Sequence, residues 1–263
     1  MNPTAAALFL LVCASAAFGQ VSLGTLVLKP KEVYELKNSD ILVVDTLIMM
    51  DSSVLVLNKL KRENFIHAKK IVFYQGSLID GRGVKGLPGR NGRAGTSSLS
   101  PCTRGGIGTK GTDGTDGAGG MNLFLAFSDI EVRGVVIIDV NGGDAGDGGN
   151  GGNGGGGASG TLLCEGGSGG NGGPGSNGGN GGMGGTITFQ APSVPELRTM
   201  LGERIRIKNY GGYLGSAGEG GGGGFAGLSP TGKSTMDGKP GKKGSRGKDG
   251  ISGKQGAIHF KAN

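Results

Sequence analysis

Between Leu23 and Phe73 short apolar runs alternate with polar breaks: TLVLKP, ILVVDTLIM, SSVLVLNKL and the stretch from Ile66 to Phe73. Runs of this length, rich in Val, Ile and Leu, predict β-strands. Their close spacing predicts the rungs of a small β-solenoid or an irregular sheet, with the apolar side chains as core. From Lys70 on the chain repeats itself. In each repeat an apolar strand runs into a glycine tract, a polar tip follows, and a second tract leads back into a strand. The lead-in segments are KIVFYQGSLIDGRG, VVIIDVNGGDAG and RIRIKNYGGYLG, and the returns are MNLFLAF, TITFQA and AIHFKA. One helix is predicted, at Pro195–Leu201, because Pro at the first helical position follows Ser193 and Val194.

The tracts run Gly83–Gly95, Gly105–Gly120, Gly142–Gly157, Gly166–Gly185, Gly212–Gly227 and Gly238–Gly256. In the last of them glycine occupies every third position. A period of three is neither helical nor β. It fits an extended left-handed helix of the polyglycine II type, rising about 3.1 Å per residue with one bare edge along which another backbone can approach closely. A tract of this kind reaches roughly 45 Å.

The expected architecture is therefore a β-solenoid-like platform carrying six polyglycine II-type helices as three out-and-back hairpins. Its parts are a signal peptide (1–20), a strand platform (21–80) and three glycine-rich repeats (81–263). Segments with two glycines per triplet, Asn150–Asn153 and the run Gly169–Gly185, should lie inside. Those with one, 83–95 and 238–256, should lie outside. The tips fall at Thr96–Arg104, Ala158–Glu165 and Leu228–Asp237.

Composition changes this picture in three places. Glycine supplies 62 of 263 residues with only 9 Pro and no Trp, a bias that usually marks disorder or collagen. The phasing and the intervening strands argue against the first, and the scarce proline and short tracts against the second. The N-terminal MNPTAAALFLLVCASAAFGQ has the apolar core and small residues of a secretory signal cut near Gly19 or Gln20. A secreted, extracellular product with no membrane span is expected. Loss of Cys13 with the signal leaves Cys102 and Cys164, both in tips, and an oxidising compartment favours a disulfide between them.

The formal net charge is +7. The last tract carries Lys239, Lys242, Lys243, Arg246, Lys248 and Lys254 against one Asp249, either a solvated outer face or a strip that binds polyanions. Thr109, Thr112 and Thr115 recur at every third residue, forming a row of hydroxyls and methyls that solubilises an edge or orders water against a lattice. Asp113 with Asp116, and Asp144 with Asp147, balance nearby cations or hold Ca²⁺. His67 and His259 sit in strand patterns and read as structural. No nucleophile elbow, P-loop or zinc-protease motif is present, so neither catalysis nor a cofactor is expected, and no nucleic-acid partner.

The run GGSGGNGGPGSNGGNGGMGG resembles the glycine-rich springtail (snow flea) antifreeze proteins. That resemblance implies a disulfide-bearing bundle of polyglycine II helices and an ice surface as partner. The same helix type is similar to that of phage tail-tip adhesins, which implies receptor binding. Three departures, the β portion, the single disulfide and the basic outer tract, favour a structural or extracellular-matrix role with a polyanion or mineral as partner. Ice binding is the alternative, and an adhesin the weaker one.

Overall fold

A computed structural model describes residues 20–262; the expected signal peptide and Cys13 lie outside them, apart from Gln20. The chain winds as a parallel β-solenoid with two sheets. The first contains β1 (Gln20–Leu28), β3 (Ile41–Met49), β5 (Glu63–Phe73), β7 (Asn122–Val132), β9 (Ile187–Ala191) and β11 (Ile258–Ala262), hydrogen-bonded in that order. The second contains β2 (Val33–Glu35), β4 (Val54–Val56), β6 (Leu78–Asp80), β8 (Val136–Asp139) and β10 (Ile205–Lys208), again in chain order. Each of five coils is one strand from each sheet, β11 begins a sixth, and every pairing is parallel.

Inward residues stack coil on coil. Leu42, Ile66, Leu125 and Phe189 form one ladder in the first sheet, and Leu55, Ile79 and Ile138 form one in the second. All seven are fully buried, so repeating the same apolar column gives the core its continuity. Alternation along β3 breaks at Asp45 and Thr46: Leu42 and Val44 point inward, then Leu47 and Met49. Pairing between neighbouring strands skips Asp45 and Lys69, so the long strands bend there, and Lys69 Nζ lies 2.7 Å from Asp45 Oδ1 on the outside of the bend.

The helix α1 (Val194–Met200) forms one residue earlier than expected, with Pro195 in its first turn and Leu197 buried against the core. It occupies the corner between β9 and β10, where other coils have a short turn. Among the described residues it is the single α-helix.

The three glycine excursions all leave the solenoid at the other corner, between a strand of the second sheet and the next strand of the first. Residues 81–121 connect β6 to β7, 140–186 connect β8 to β9, and 209–257 connect β10 to β11. The first two exits are fixed by carboxylates: Asp80 accepts from the Arg82 N–H at 3.0 Å and Asp139 from the Asn141 N–H at 3.2 Å, the side-chain turn that Asp favours. At the third exit Lys208 takes the place of Asp139.

Asp80 is 7% exposed and chelates the Arg82 guanidinium at 2.9–3.0 Å, with Lys59 3.8 Å away. Burial works to raise its pKa, but the Arg82 side-chain and backbone hydrogen bonds and the Lys59 charge together hold it below the ordinary carboxylate value. A depressed folded pKa stabilises above the unfolded value and is lost as pH falls through the folded one. Asp80→Asn should therefore cost about 2 kcal/mol near neutrality. The difference from wild type should shrink below about pH 4, read by urea unfolding at several pH values.

Candidate functional site

The six tracts belong to neither helix nor strand, yet they are hydrogen-bonded at every third residue. Outgoing tracts lie parallel: Gly83, Gly86, Gly89, Gly92 and Gly95 donate to the carbonyls of Asn141, Asp144, Asp147, Asn150 and Asn153 at 2.7–2.9 Å, and Gly142, Gly148, Gly151 and Gly154 donate on to Tyr210, Ser216, Glu219 and Gly222. Returning tracts do the same, Gly105–Gly120 to Gly166–Gly185 and the latter to Gly238–Gly256. Antiparallel bonds tie the two layers together, for example Gly152 N–H to Thr109 O and Gly173 N–H to Gly152 O. Tracts 142–157 and 166–185 consequently have hydrogen-bonded neighbours in both layers and on both flanks, while 83–95 and 238–256 form the outer edges.

The register of this packing is the register of the sheets. Leu78 pairs with Ile137 in the second sheet, and Asn91 pairs with Asn150 in the tracts, the same 59-residue step. Steps of 64, 69 and 71 residues likewise run from the strands into the tracts. Strands in neighbouring coils sit about 4.8 Å apart, which delivers successive excursions at backbone hydrogen-bonding distance. This offsets part of the ordering cost of about 1–2 kcal/mol per residue.

Glycine is required where backbones cross. A Cβ on Gly170 would lie 1.7 Å from the Gly106 carbonyl oxygen and one on Gly154 1.9 Å from that of Gly170. Ser176 alone carries a side chain at such a buried position of its tract, and its hydroxyl has no partner. Beside it the Gly111–Pro174 hydrogen bond lengthens to 3.2 Å, against 2.9 Å at Gly108 and Gly114.

The non-glycine edges carry side-chain ladders that the sequence reading missed. Asn91 Oδ1 accepts from the Asn150 N–H, and Asn150 Oδ1 from the Glu219 N–H, both at 2.8 Å. Asp144 and Asp147 accept from Tyr213 and Ser216, while Asp113 and Asp116 accept from Asn177 and Asn180, at 2.6–3.0 Å. These aspartates thus satisfy backbone donors, and no metal-ligating cluster of His, Cys, Asp and Glu occurs among the described residues. The signal was legible as a triplet row: Asn141, Asp144, Asp147, Asn150 and Asn153.

Thr109, Thr112 and Thr115 are exposed and aligned, but their oxygens are engaged. Each hydroxyl accepts from the N–H of Arg93, Arg90 or Leu87 at 2.7 Å, and each threonine N–H donates back to the carbonyl of the same residue. The row is a clamp between tracts 83–95 and 105–120.

The basic residues of the last tract divide into two sets. Arg246 binds Glu219 at 2.9 Å and Asp249 at 2.7 Å, and Lys243 lies 3.9 Å from Glu219. The Arg246 hydrogen bond, helped by the Ala217 N–H, holds the Asp249 carboxyl below its usual range. Lys239, Lys242, Lys248 and Lys254 take part in no ion pair among the described residues. The backbone N–H groups of the first three are fixed by Ser168, Asn171 and Asn177. These four lysines share one edge at multiples of roughly 9 Å.

At the far end Cys102 and Cys164 form a disulfide with Cα atoms 6.1 Å apart. Around it Leu99 and Leu163 are 95% and 96% exposed. His67 and His259 lie in β5 and β11, apart from both rows.

No protein-family model matches the chain, and no curated protein is significantly similar to it. Among solved structures, the springtail antifreeze protein of Granisotoma rainieri, described as a nine-helix polyproline type II bundle whose crystal waters match the ice lattice, is 24% identical. The alignment covers 65% of this chain and 94% of that one, with a TM-score of 0.12. The expected resemblance to springtail antifreeze proteins, and with it the likeness to tail-tip adhesins, is corrected on this point. The two backbones do not superpose, and this chain is organised on two parallel sheets.

Proposed function

We propose that the protein is a secreted, non-catalytic structural component of an extracellular matrix, and that Lys239, Lys242, Lys248 and Lys254 bind polyanions. In this reading the tracts are polyglycine II-type helices arranged as three out-and-back pairs, and they serve as a stiff support for the lysine edge. The observation that carries it is the division of the basic tract: Lys243 and Arg246 face carboxylates, whereas these four lysines do not. The disulfide supports an oxidising destination. Sulfated polysaccharide and anionic mineral surfaces both suit such a row, and the ligand carries the charge that the lysines lack.

The test is retention on immobilised heparin. Neutralising the four lysines to glutamine should weaken binding by about tenfold or more, and wild-type binding should fall steeply with salt. Lys243→Gln with Arg246→Gln should have a smaller effect. Equal retention of the wild type and the quadruple variant would sink the proposal. Ice binding rests on the threonine row, whose oxygens are used within the fold. Measuring thermal hysteresis and ice-crystal shaping tests it directly.

A further inference from the structure

We propose that Tyr210 and Tyr213 form a second binding surface, for a neutral β-1,4-linked polysaccharide chain whose alternate pyranose units stack on the two rings. The proposal does not depend on the lysine edge. Of the four tyrosines, Tyr34 packs against the core and Tyr74 is covered by Arg133, whose guanidinium lies 5.0 Å from the ring centroid. Tyr210 and Tyr213 are 59% and 78% exposed, and neither ring nor hydroxyl has a partner among the described residues. They stand one triplet apart on the same edge, because the Tyr210 N–H is held by Asn141 Oδ1 at 2.8 Å and the Tyr213 N–H by Asp144 Oδ1 at 3.0 Å.

An extended triplet covers roughly 9–10 Å, close to the length of a disaccharide in an extended β-1,4 chain. The axial C–H faces of such sugars are apolar and stack on aromatic rings, while their equatorial hydroxyls need donors and acceptors at the side. Asn141 and Asp144 supply these in the adjoining tract: each uses one oxygen internally, leaving the Asn141 amide nitrogen and the second Asp144 oxygen, which Lys85 approaches at 3.4 Å. The Lys85–Asp144 pair leaves the patch locally neutral, which suits an uncharged polymer better than a polyanion. Tyrosine on a backbone already fixed by hydrogen bonds loses little freedom on binding.

The experiment is co-sedimentation of the mature, disulfide-intact chain with microcrystalline cellulose and with chitin in about 1 M NaCl, where the lysine edge is screened. Binding to either polymer is expected, falling about tenfold or more in Tyr210→Ala/Tyr213→Ala. The Tyr210→Phe/Tyr213→Phe variant should retain binding, because stacking needs the ring and not the hydroxyl. Both variants keep the backbone donors, and circular dichroism checks that they fold. No sedimentation with either polymer, or equal binding by the double alanine variant, overturns the proposal. Heparin retention lost by the lysine variant but unchanged by the tyrosine variants separates the two surfaces.

Discussion

Gly154→Ala is expected to lower thermal stability sharply, while Gly222→Ala in the neighbouring tract leaves it nearly unchanged. The added methyl at Gly154 would sit 1.9 Å from the Gly170 carbonyl oxygen and 2.5 Å from its carbon. Both atoms are backbone, and that backbone is itself bonded to Gly155, so no side chain can rotate away. Overpacking against an unyielding wall should cost about 3 kcal/mol or more, a fall in Tm of roughly 6–12 °C for a chain of this size. At Gly222 the nearest atom to a new Cβ is Asn153 Oδ1 at 3.5 Å, and backbone φ there is not positive. Alanine should stay within about 1 kcal/mol of wild type and can stabilise by limiting the unfolded chain. Similar melting curves for the two variants would show that the tracts do not pack as described.

The second large effect is expected from opening the disulfide. Cys102 and Cys164 are 62 residues apart in sequence, and the chain-entropy model puts the value of closing such a loop at about 4 kcal/mol. The loss should be uneven. Amide exchange should quicken first around the tips, residues 96–104 and 158–165, while β3, β5 and β7, buried in the middle of the solenoid, keep their protection. A Cys102→Ala/Cys164→Ala protein with unchanged exchange at the tips would mean that the tract hydrogen bonds alone hold the far end.

Much of this was legible in the sequence for simple reasons. The strands were visible as short apolar runs, the helix from Pro195, and the six tracts from a period that no ordinary element shares. Glycine density gave the interior tracts, since a residue such as Asn150 needs only one side open. What the sequence left hidden has one cause. A triplet period says which residues share an edge, but not what that edge faces. Thr109, Thr112 and Thr115 are aligned and exposed as the period implies, but the period did not reveal that tract 83–95 also uses their oxygens. Asp113 and Asp144 do sit beside Lys110 and Lys85 as surface charges, but their hydrogen bonds to the Asn177 and Tyr213 N–H groups were hidden for the same reason. What an edge faces is set by the sheet register, through pairs such as Leu78 with Ile137, and those pairings are long-range. The bend at Asp45 was hidden because one apolar run carries both phases of the alternation.

Because the excursions inherit their alignment from the coils beneath them, their reach is separable from the base. Adding whole Gly-X-Y units in matched numbers to both arms of all three would move the capped end outward while leaving every solenoid contact in place. A single extra residue in one arm would put side chains where carbonyls now stand. The molecule is in this sense a ruler graduated in threes, adjustable in span without redesign of its root.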